Sequence, residues 1–448
     1  MSTVINGAGL PLPATASAPT RISPAFYLIW LGQFVSMVGS SLTGFALGVW
    51  LFQRTGSVLD FSELTVCSTL PALLLMPWSG SLADRWNKRL ILVACEAVAL
   101  ACTAGMALLL WLDRFEVWQL MALQAALSVS LAFQAPAAYA TITAIVPKAS
   151  FAKAGGMFQL ANAIAQFTGP LLAASALGAI GISGIVVFDT VTFAAALVAL
   201  LVARIPATAA SSDPARPKRD ALKDMEWAFN YLVERPAMAA LYGYTTLASF
   251  LSGIVVVMIA PLVLVHHTEK ELAWVVTAAA CGMLASGIAM MGWGGPRKFT
   301  PLMLGLAVLQ GLGIAAAGWY DSVASMCVCA FFATLCNSVL TGYMATVWRR
   351  KVPRERQGSF SALQQGVALA LIPLSAFIGG SLAHYVFEPA LMPGGFWAAS
   401  VGTWFGVGHG RGTGFLFFVV GLGVAAAVLP AFFHRGLRRF DDEVSDAL

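Results

Sequence analysis

Two carboxylates stand inside long apolar runs of this chain: Glu96 in "LILVACEAVALACTAGMALLLWL" and Asp189 in "GIVVFDTVTFAAALVALLVA". A charged group in such surroundings is costly, so each is a functional candidate by default. A carboxyl group held there can take up a proton in one conformation and release it in another. For Glu96 the competing reading is a structural partner for the basic stretch that precedes it. For Asp189 it is a hydrogen bond between helices. A second set of chemistry-bearing residues lies between two apolar runs, in "GSLADRWNKR" at 80–89, where Gly80 and Asp84 are followed by Arg85, Lys88 and Arg89. Asp60 and Glu63 form a D-x-x-E at the start of an apolar run, as a helix N-terminal cap would.

No constellation suited to enzymatic chemistry accompanies these acids. A membrane enzyme needs a nucleophile, a base or a metal cluster near the membrane surface, and the residues offer none. All seven cysteines lie in apolar runs without a C-x-x-C pair, and the five histidines have no metal-site spacing. "GVGHGRG" at 406–412 follows no strand and lacks the Lys-Ser/Thr ending of a phosphate loop, so it reads as a hinge. No cofactor and no metal are expected.

The elements that must position Glu96 and Asp189 follow from composition. The chain has 448 residues, is 59% hydrophobic and 10% charged, and has a mean hydropathy of +0.80. A helix of about 20 apolar residues crosses the hydrocarbon core, and such runs recur from end to end. Without period-two alternation they predict helices, since only helices and closed barrels cross a bilayer. The fold class is therefore an all-α membrane protein of about 12 spans. The organisation read from the sequence is a tail at 1–24, a six-helix bundle at 25–203, and a linker with an amphipathic helix at 204–236. A second six-helix bundle follows at 237–433, with a tail at 434–448. One boundary between spans falls at Gly181. In the linker, Leu222, Met225, Phe229 and Leu232 share a face, as in a helix lying on a membrane surface.

Sidedness comes from the bases. The terminal tails and even-numbered loops carry 22 of the 26 Lys and Arg residues, against 4 in the odd-numbered loops. The positive-inside rule then places both termini in the cytoplasm. The net charge of +5 reflects that asymmetry and gives no nucleic-acid footprint.

Gly80-x-Leu82-Ala83-Asp84-Arg85-x-x-Lys88-Arg89 resembles the signature of the major facilitator superfamily between its second and third helices. The stretches "GQFVSMVGSSLTGFALGVW", "FQAPAAYATITAIVPK", "VFDTVTF", "VPRERQGSFSAL" and "VFEPALMPGG" resemble a bacterial efflux branch that includes macrolide-efflux and enterobactin-exporter relatives. The resemblance implies two six-helix bundles around a central cavity, alternating access, and a cytoplasmic latch formed by Asp84 and the bases after it. The corresponding stretch of the second half, "GWGGPRKFT", has no acid. Gly156, Ala165, Gly169 and Pro170 match the spacing of the superfamily's antiporter motif, with alanine replacing several glycines. That match favours export over import of a small metabolite. The arginine that proton antiporters of the superfamily often carry in the fourth helix is absent.

Substrate contacts are expected from polar residues at helical spacing: Gln33 and Ser36 (with Ser40) on the first helix, and Gln159, Asn162 and Gln166 on the fifth. The resemblance adds Tyr244, Asn337 and Gln364. Hydrogen bonds between helices are the alternative role for each. A neutral, partly aromatic cavity suits a bulky organic solute such as a drug, macrolide, peptide natural product or siderophore. The other expected partners are a proton gradient and the lipid bilayer of a bacterial inner membrane, with no nucleic acid, for a monomeric chain.

Sidedness is directly measurable. A cysteine placed at position 215, with the native thiols removed, is expected to resist impermeant thiol reagents in intact cells, whereas one in the 392–408 loop reacts. Labelling at 215 in sealed cells reverses the orientation.

Overall fold

The computed structural model describes residues 23–85, 87–147, 150–203, 221–293, 299–319, 322–353 and 356–427. The terminal tails, most of the linker and the "GGPRK" part of the second-half loop lie outside them. Among the described residues there are helices and no strands. The first bundle holds α1 (Pro24–Thr55), α2 (Val58–Arg85), α3 (Lys88–Trp111), α4 (Val117–Ile145) and α5 (Phe151–Val202). Helix α6 (Ala221–Val233) leads into α7 (Pro236–Leu264), α8 (Glu269–Trp293), α9 (Phe299–Trp319), α10 (Val323–Lys351) and α11 (Gln357–Leu382). A π turn (Ala383–Phe387), the short α12 (Glu388–Leu391) and α13 (Gly402–Phe405), and α14 (Arg411–Ala426) complete the second bundle.

Nine helices among the described residues are long and apolar enough to cross a membrane, and two shorter apolar helices cover Met303–Trp319 and Arg411–Ala426. The longest, α5, is two arms joined at Gly181, whose φ of 66° and ψ of −179° interrupt the helix. That φ lies where only glycine is unhindered, so the joint sits where the apolar run had suggested a boundary. Nine candidate spans, one of them divided at Gly181, stand against the expected count of about twelve, with the two shorter helices falling below spanning length.

Local sequence sets several helix ends differently from expectation. Ser57, not Asp60, caps α2: its Oγ accepts from the Asp60 amide at 3.2 Å, making Asp60 the third residue of the helix. The "GSLADR" stretch continues α2 through Arg85 and is not a loop. Helix α3 starts at Lys88, and the Asn87 side chain caps it by accepting from the Arg89 amide at 3.0 Å. Charged residues mark where a span leaves the hydrocarbon, and the helix is free to run on beyond that point.

Helix α6 also departs from the surface-helix reading. Ala228 and Leu232 are buried in the second bundle beside Met344 and Trp348, and the Tyr231 hydroxyl donates to the Lys351 carbonyl at 2.9 Å. Phe229, one position round the helix, is 60% exposed. Leu232 and Phe229, three residues apart on one side of the helix, thus differ in burial, and only Leu232 is covered. The side chains of Leu222 and Met225 lie outside the described residues.

Among the described residues, the two bundles share a buried apolar core at one end only. A single apolar cluster joins Val49, Phe52 and Val58 of the first bundle to Met258, Leu272, Ala376 and Phe387 of the second. These residues lie at the end that carries the α1–α2 turn. At the opposite end, the cluster of Ile29, Ile91, Leu92 and Leu200 belongs to the first bundle alone. The cluster of Met238, Leu340, Trp348 and Phe360 belongs to the second bundle and α6. Gln53 Nε2 also reaches Glu269 Oε2 across the bundles at the shared end, at 3.4 Å.

Within the first bundle, α1 packs chiefly on α5. The approach is closest at Gly169, where a Cβ atom would lie 2.6 Å from the Ser41 Cβ and overlap its hydroxyl. Pro170 follows in the interior of the helix, and Ala165, Ala173 and Ala174 are buried. Gly156 differs: nothing lies within 4 Å of a Cβ added there. The expected packing role of the spaced small residues is therefore geometrically possible at 165–174 and absent at Gly156. Gly169→Leu is expected to destabilise the protein by about 1–3 kcal/mol through overpacking, read as a lower melting temperature in detergent. Gly156→Ala should leave that temperature unchanged. Equal behaviour of the two variants would refute the close approach.

Candidate functional site

Glu96 sits on α3, nine residues into the helix, and is 1% exposed. Its Oε1 accepts from Gln33 Nε2 of α1 at 2.6 Å and from Gln134 Nε2 of α4 at 2.7 Å. Its Oε2 is buried without a hydrogen-bond partner. Three helices thus converge on one carboxylate through two amides. Hydrogen bonds to a charged group are worth about 1.5–3 kcal/mol, and leaving any oxygen unpaired in such surroundings is costly. The second oxygen is therefore the one the surrounding helices leave unsatisfied.

Gln33, expected as a substrate contact, instead donates its amide to Glu96. Gln134 was not singled out from the sequence. An amide in an apolar run shows no partner until helix rotation is known, although it stands in the quoted stretch "FQAPAAYATITAIVPK". Ser36 is buried in α1. Gln166 donates to Asn162 Oδ1 at 3.2 Å on the exposed side of α5, an intrahelical pair. The Gln159 side chain lies outside the described residues.

Asp189, on the second arm of α5, is 2% exposed. Its Oδ1 receives Ser40 Oγ of α1 at 3.5 Å and Thr192 Oγ1 at 3.2 Å. The absence of a side chain at Gly39 permits the approach, since a Cβ there would lie 2.6 Å from Asp189 Oδ1. The carboxylate borders a cavity of about 170 Å³ that also touches Thr43, Gln124 and Gln134. Glu96 and Asp189 therefore occupy one bundle, with Gln134 bordering the cavity from the Glu96 side.

The second bundle holds a larger cavity of about 330 Å³ between α7, α10 and α11. Tyr244, Asn337 and Gln364 all line it, joined by Tyr242, Trp348 and Gln365. Behind them Gln310 of α9, 3% exposed, donates to Ser252 Oγ at 3.0 Å and to Asn337 Oδ1 at 3.4 Å. Among the described residues, no charged side chain lines this cavity. Its size falls within the range of small-molecule sites, and its mixture of aromatic faces and amides suits a large solute with scattered polar groups. Gln33, Ser36, Asn162 and Gln166 do not line it.

The side chains of Asp84, Arg85 and Lys88 lie outside the described residues, as do the surroundings of Gly80. Arg89 is described: its Nη2 donates to the Leu201 carbonyl at 2.7 Å, at the end of α5. A cation at a helix C-terminus satisfies an orphan carbonyl and the helix dipole. The bond stays within the first bundle and does not reach the second, as a latch would. Glu388 had no role in the sequence reading. Its Oε1 accepts from the Gly410 and Thr413 amides and the Thr413 hydroxyl, at 3.1, 3.3 and 3.0 Å, holding the start of α14. Its partners stand more than twenty residues away, so no local pattern announces it.

Two helical bundles of membrane-spanning length, joined at one end and hollowed by polar cavities, define a multi-pass transporter. The chain belongs to the Major Facilitator Superfamily, whose sequence profile matches residues 29–376, and is a transporter of small solutes rather than an enzyme. It is 22% identical over 366 residues to Macrolide efflux protein A of Streptococcus pyogenes, covering 81% of this chain and 90% of that one. It is 25% identical over 378 residues to the uncharacterized MFS-type transporter YfiS of Bacillus subtilis strain 168, covering 78% and 86%. Its fold resembles that of a bacterial homologue of the human lysosomal transporter Spinster, solved inward-facing and unoccupied (TM-score 0.63, 18% identity, 94% and 97% coverage). The nucleoside transporter NupG is similar in fold as well (TM-score 0.64, 12% identity, 92% and 100% coverage).

The Glu96 network makes a stability prediction. Gln134→Leu removes one of two donors to a buried carboxylate and is expected to cost about 1.5–3 kcal/mol. In a double-mutant cycle on melting in detergent, Glu96→Gln should abolish most of that cost. Additive effects would show that the two side chains do not interact.

Proposed function

We propose that the protein is a secondary exporter of a bulky organic solute, working by alternating access in exchange for protons. The observation that carries the reading is the neutral, aromatic and amide-lined cavity of the second bundle, set apart from the buried acids of the first. A solute such as a drug, a macrolide, a peptide natural product or a siderophore matches that lining. Tyr244, Asn337 and Gln364 are its contacts in this reading. The name of the S. pyogenes relative and the spacing of Gly156, Ala165, Gly169 and Pro170 support export.

The distribution of bases supports a bacterial inner-membrane protein with both termini in the cytoplasm. In that orientation the α1–α2 end faces outward, the shared core seals it, and the conformation is the inward-facing one. Asp84, Arg85 and Lys88, at the end of α2 and the start of α3, then form the latch that closes the cytoplasmic side in the opposite state. Arg89 anchors that region to its own bundle.

Glu96 is the coupling residue. Its Oε2 has no partner in this conformation, and its two amide partners lie on separate helices, so helix movement changes how well the anion is solvated. Asp189 is the alternative carboxylate. Transport into inside-out vesicles tests the proposal across a panel of macrolides, peptides and siderophores, with and without a proton gradient. The expected result is gradient-driven accumulation of at least one class. Glu96→Gln should abolish accumulation while retaining downhill counterflow of the same solute. A variant that still concentrates the solute eliminates Glu96 as the coupling site, and accumulation indifferent to the gradient eliminates proton exchange.

A further inference from the structure

We propose that Asp189, Ser40, Thr43 and Thr192 form a binding site for Na⁺ inside the first bundle, an occupant distinct from the solute and from the proton assigned to Glu96. The first argument is charge. Asp189 is 2% exposed and borders a cavity on which no Lys, Arg or His appears among the described residues. A buried carboxylate without a counter-charge is costly, and hydroxyl groups alone answer it here. The site carries a single negative charge, which matches a monovalent ion. Ca²⁺ sites draw on more carboxylates, and no cluster of three His, Cys, Asp or Glu side chains able to hold a metal exists among the described residues.

The second argument is where the hydroxyl hydrogens go. Thr192 Oγ1 lies 2.8 Å from the Asp189 backbone carbonyl and 3.2 Å from its Oδ1. A hydroxyl has one hydrogen, and the shorter contact, to the carbonyl, takes it. Lone pairs on Thr192 Oγ1 and Asp189 Oδ1 then face each other, a repulsion that a cation between them relieves. Thr43 Oγ1 lies beside the same carboxylate, is buried, and makes no hydrogen bond of good geometry. It borders the same cavity and is an oxygen in want of a partner.

The third argument is spacing. Hard cations hold oxygen ligands at about 2.3–2.6 Å, so ligands at right angles stand about 3.3–3.7 Å apart. Na⁺ is close to Ca²⁺ in size and follows the same geometry. Ser40 Oγ at 3.5 Å and Thr192 Oγ1 at 3.2 Å from Oδ1 are long for hydrogen bonds to a carboxylate and close to that ligand spacing. The Gly39 backbone, lacking a Cβ, lets α1 approach near enough to supply two of the hydroxyls. The cavity has room for waters to complete the coordination, and Gln124 offers a further carbonyl.

The test uses the purified full chain in detergent at fixed pH and ionic strength. Thermal unfolding is followed as NaCl replaces choline chloride, and ²²Na⁺ binding is measured in parallel. Expected are a saturable, Na⁺-specific rise in melting temperature and matching ²²Na⁺ binding. Both should survive in Glu96→Gln and be lost in Asp189→Asn. In Thr43→Val, which keeps the shape and the charge, the affinity for Na⁺ should fall about tenfold or more, as loss of one contact to a charged group implies. Absence of Na⁺-specific stabilisation in the unmutated protein overturns the proposal, as does an undiminished response in Thr43→Val. Stabilisation that follows pH alone and ignores Na⁺ also overturns it and makes Asp189 a proton site. Because the readout needs no transported solute, failure here leaves proton coupling at Glu96 untouched, and failure of that coupling leaves this site standing.

Discussion

In hydrocarbon no water is at hand to satisfy a donor or an acceptor, so every polar group on a spanning helix must find its partner within the protein. That constraint arranges this structure from the backbone outward. Helices satisfy their own amides. The few polar side chains placed inside them then decide which helices meet and at what depth. Glu96 collects α1 and α4 around α3. Ser375 of α11, fully buried, donates to the Phe250 carbonyl of α7 at 2.9 Å. Thr334 of α10 reaches the Ala279 carbonyl of α8 at 2.7 Å. Apolar packing fills the rest, and small residues such as Gly169 set how closely the backbones approach.

The two bundles use the same architecture for different chemistry. In each, a buried polar side chain on the third long helix bonds to the first and the fourth: Glu96 to Gln33 and Gln134, Gln310 to Ser252 and Asn337. One centre is ionisable and the other is neutral. An acid beside the larger cavity would have imposed a charge on whatever occupies it, whereas Gln310 holds Asn337 in place with no charge. The ionisable groups and the larger neutral cavity thus stand in different halves of the molecule.

The sequence made the apolar scaffold legible, because hydrophobic length and the bilayer's thickness are matched regardless of how the helices later pack. The split of α5 at Gly181 could be read for the same reason, as could the burial of Glu96 and Asp189. What stayed hidden depends on rotation and depth. Gln33 and Ser36 looked like members of one polar stripe, yet Gln33 is engaged by a carboxylate on another helix. Gln134 gave no signal because its partner lies 38 positions away. The "GSLADR" segment misled in the opposite direction, since charge there reports the membrane boundary and says nothing about where the helix stops. The cap at Ser57 was available in the local pattern S-x-x-D and was obscured by the more conspicuous Asp60 and Glu63. For the latch side chains themselves, the resemblance of the motif is all that bears on their role.

The one-ended core between the bundles has a thermodynamic consequence. For the opposite conformation to form, residues such as Val49, Val58 and Ala376 must lose their partners across the seam, and comparable apolar surface must be covered at the other end. The free-energy difference between the two conformations is then the difference between what the two seams contribute. A ligand biases it only through its unequal affinity for the two states, and so does any side chain that contributes to one seam alone. Positions such as Val58, which line neither cavity, therefore weigh on how the molecule divides between conformations, and the resting population becomes a property of its greasiest contacts.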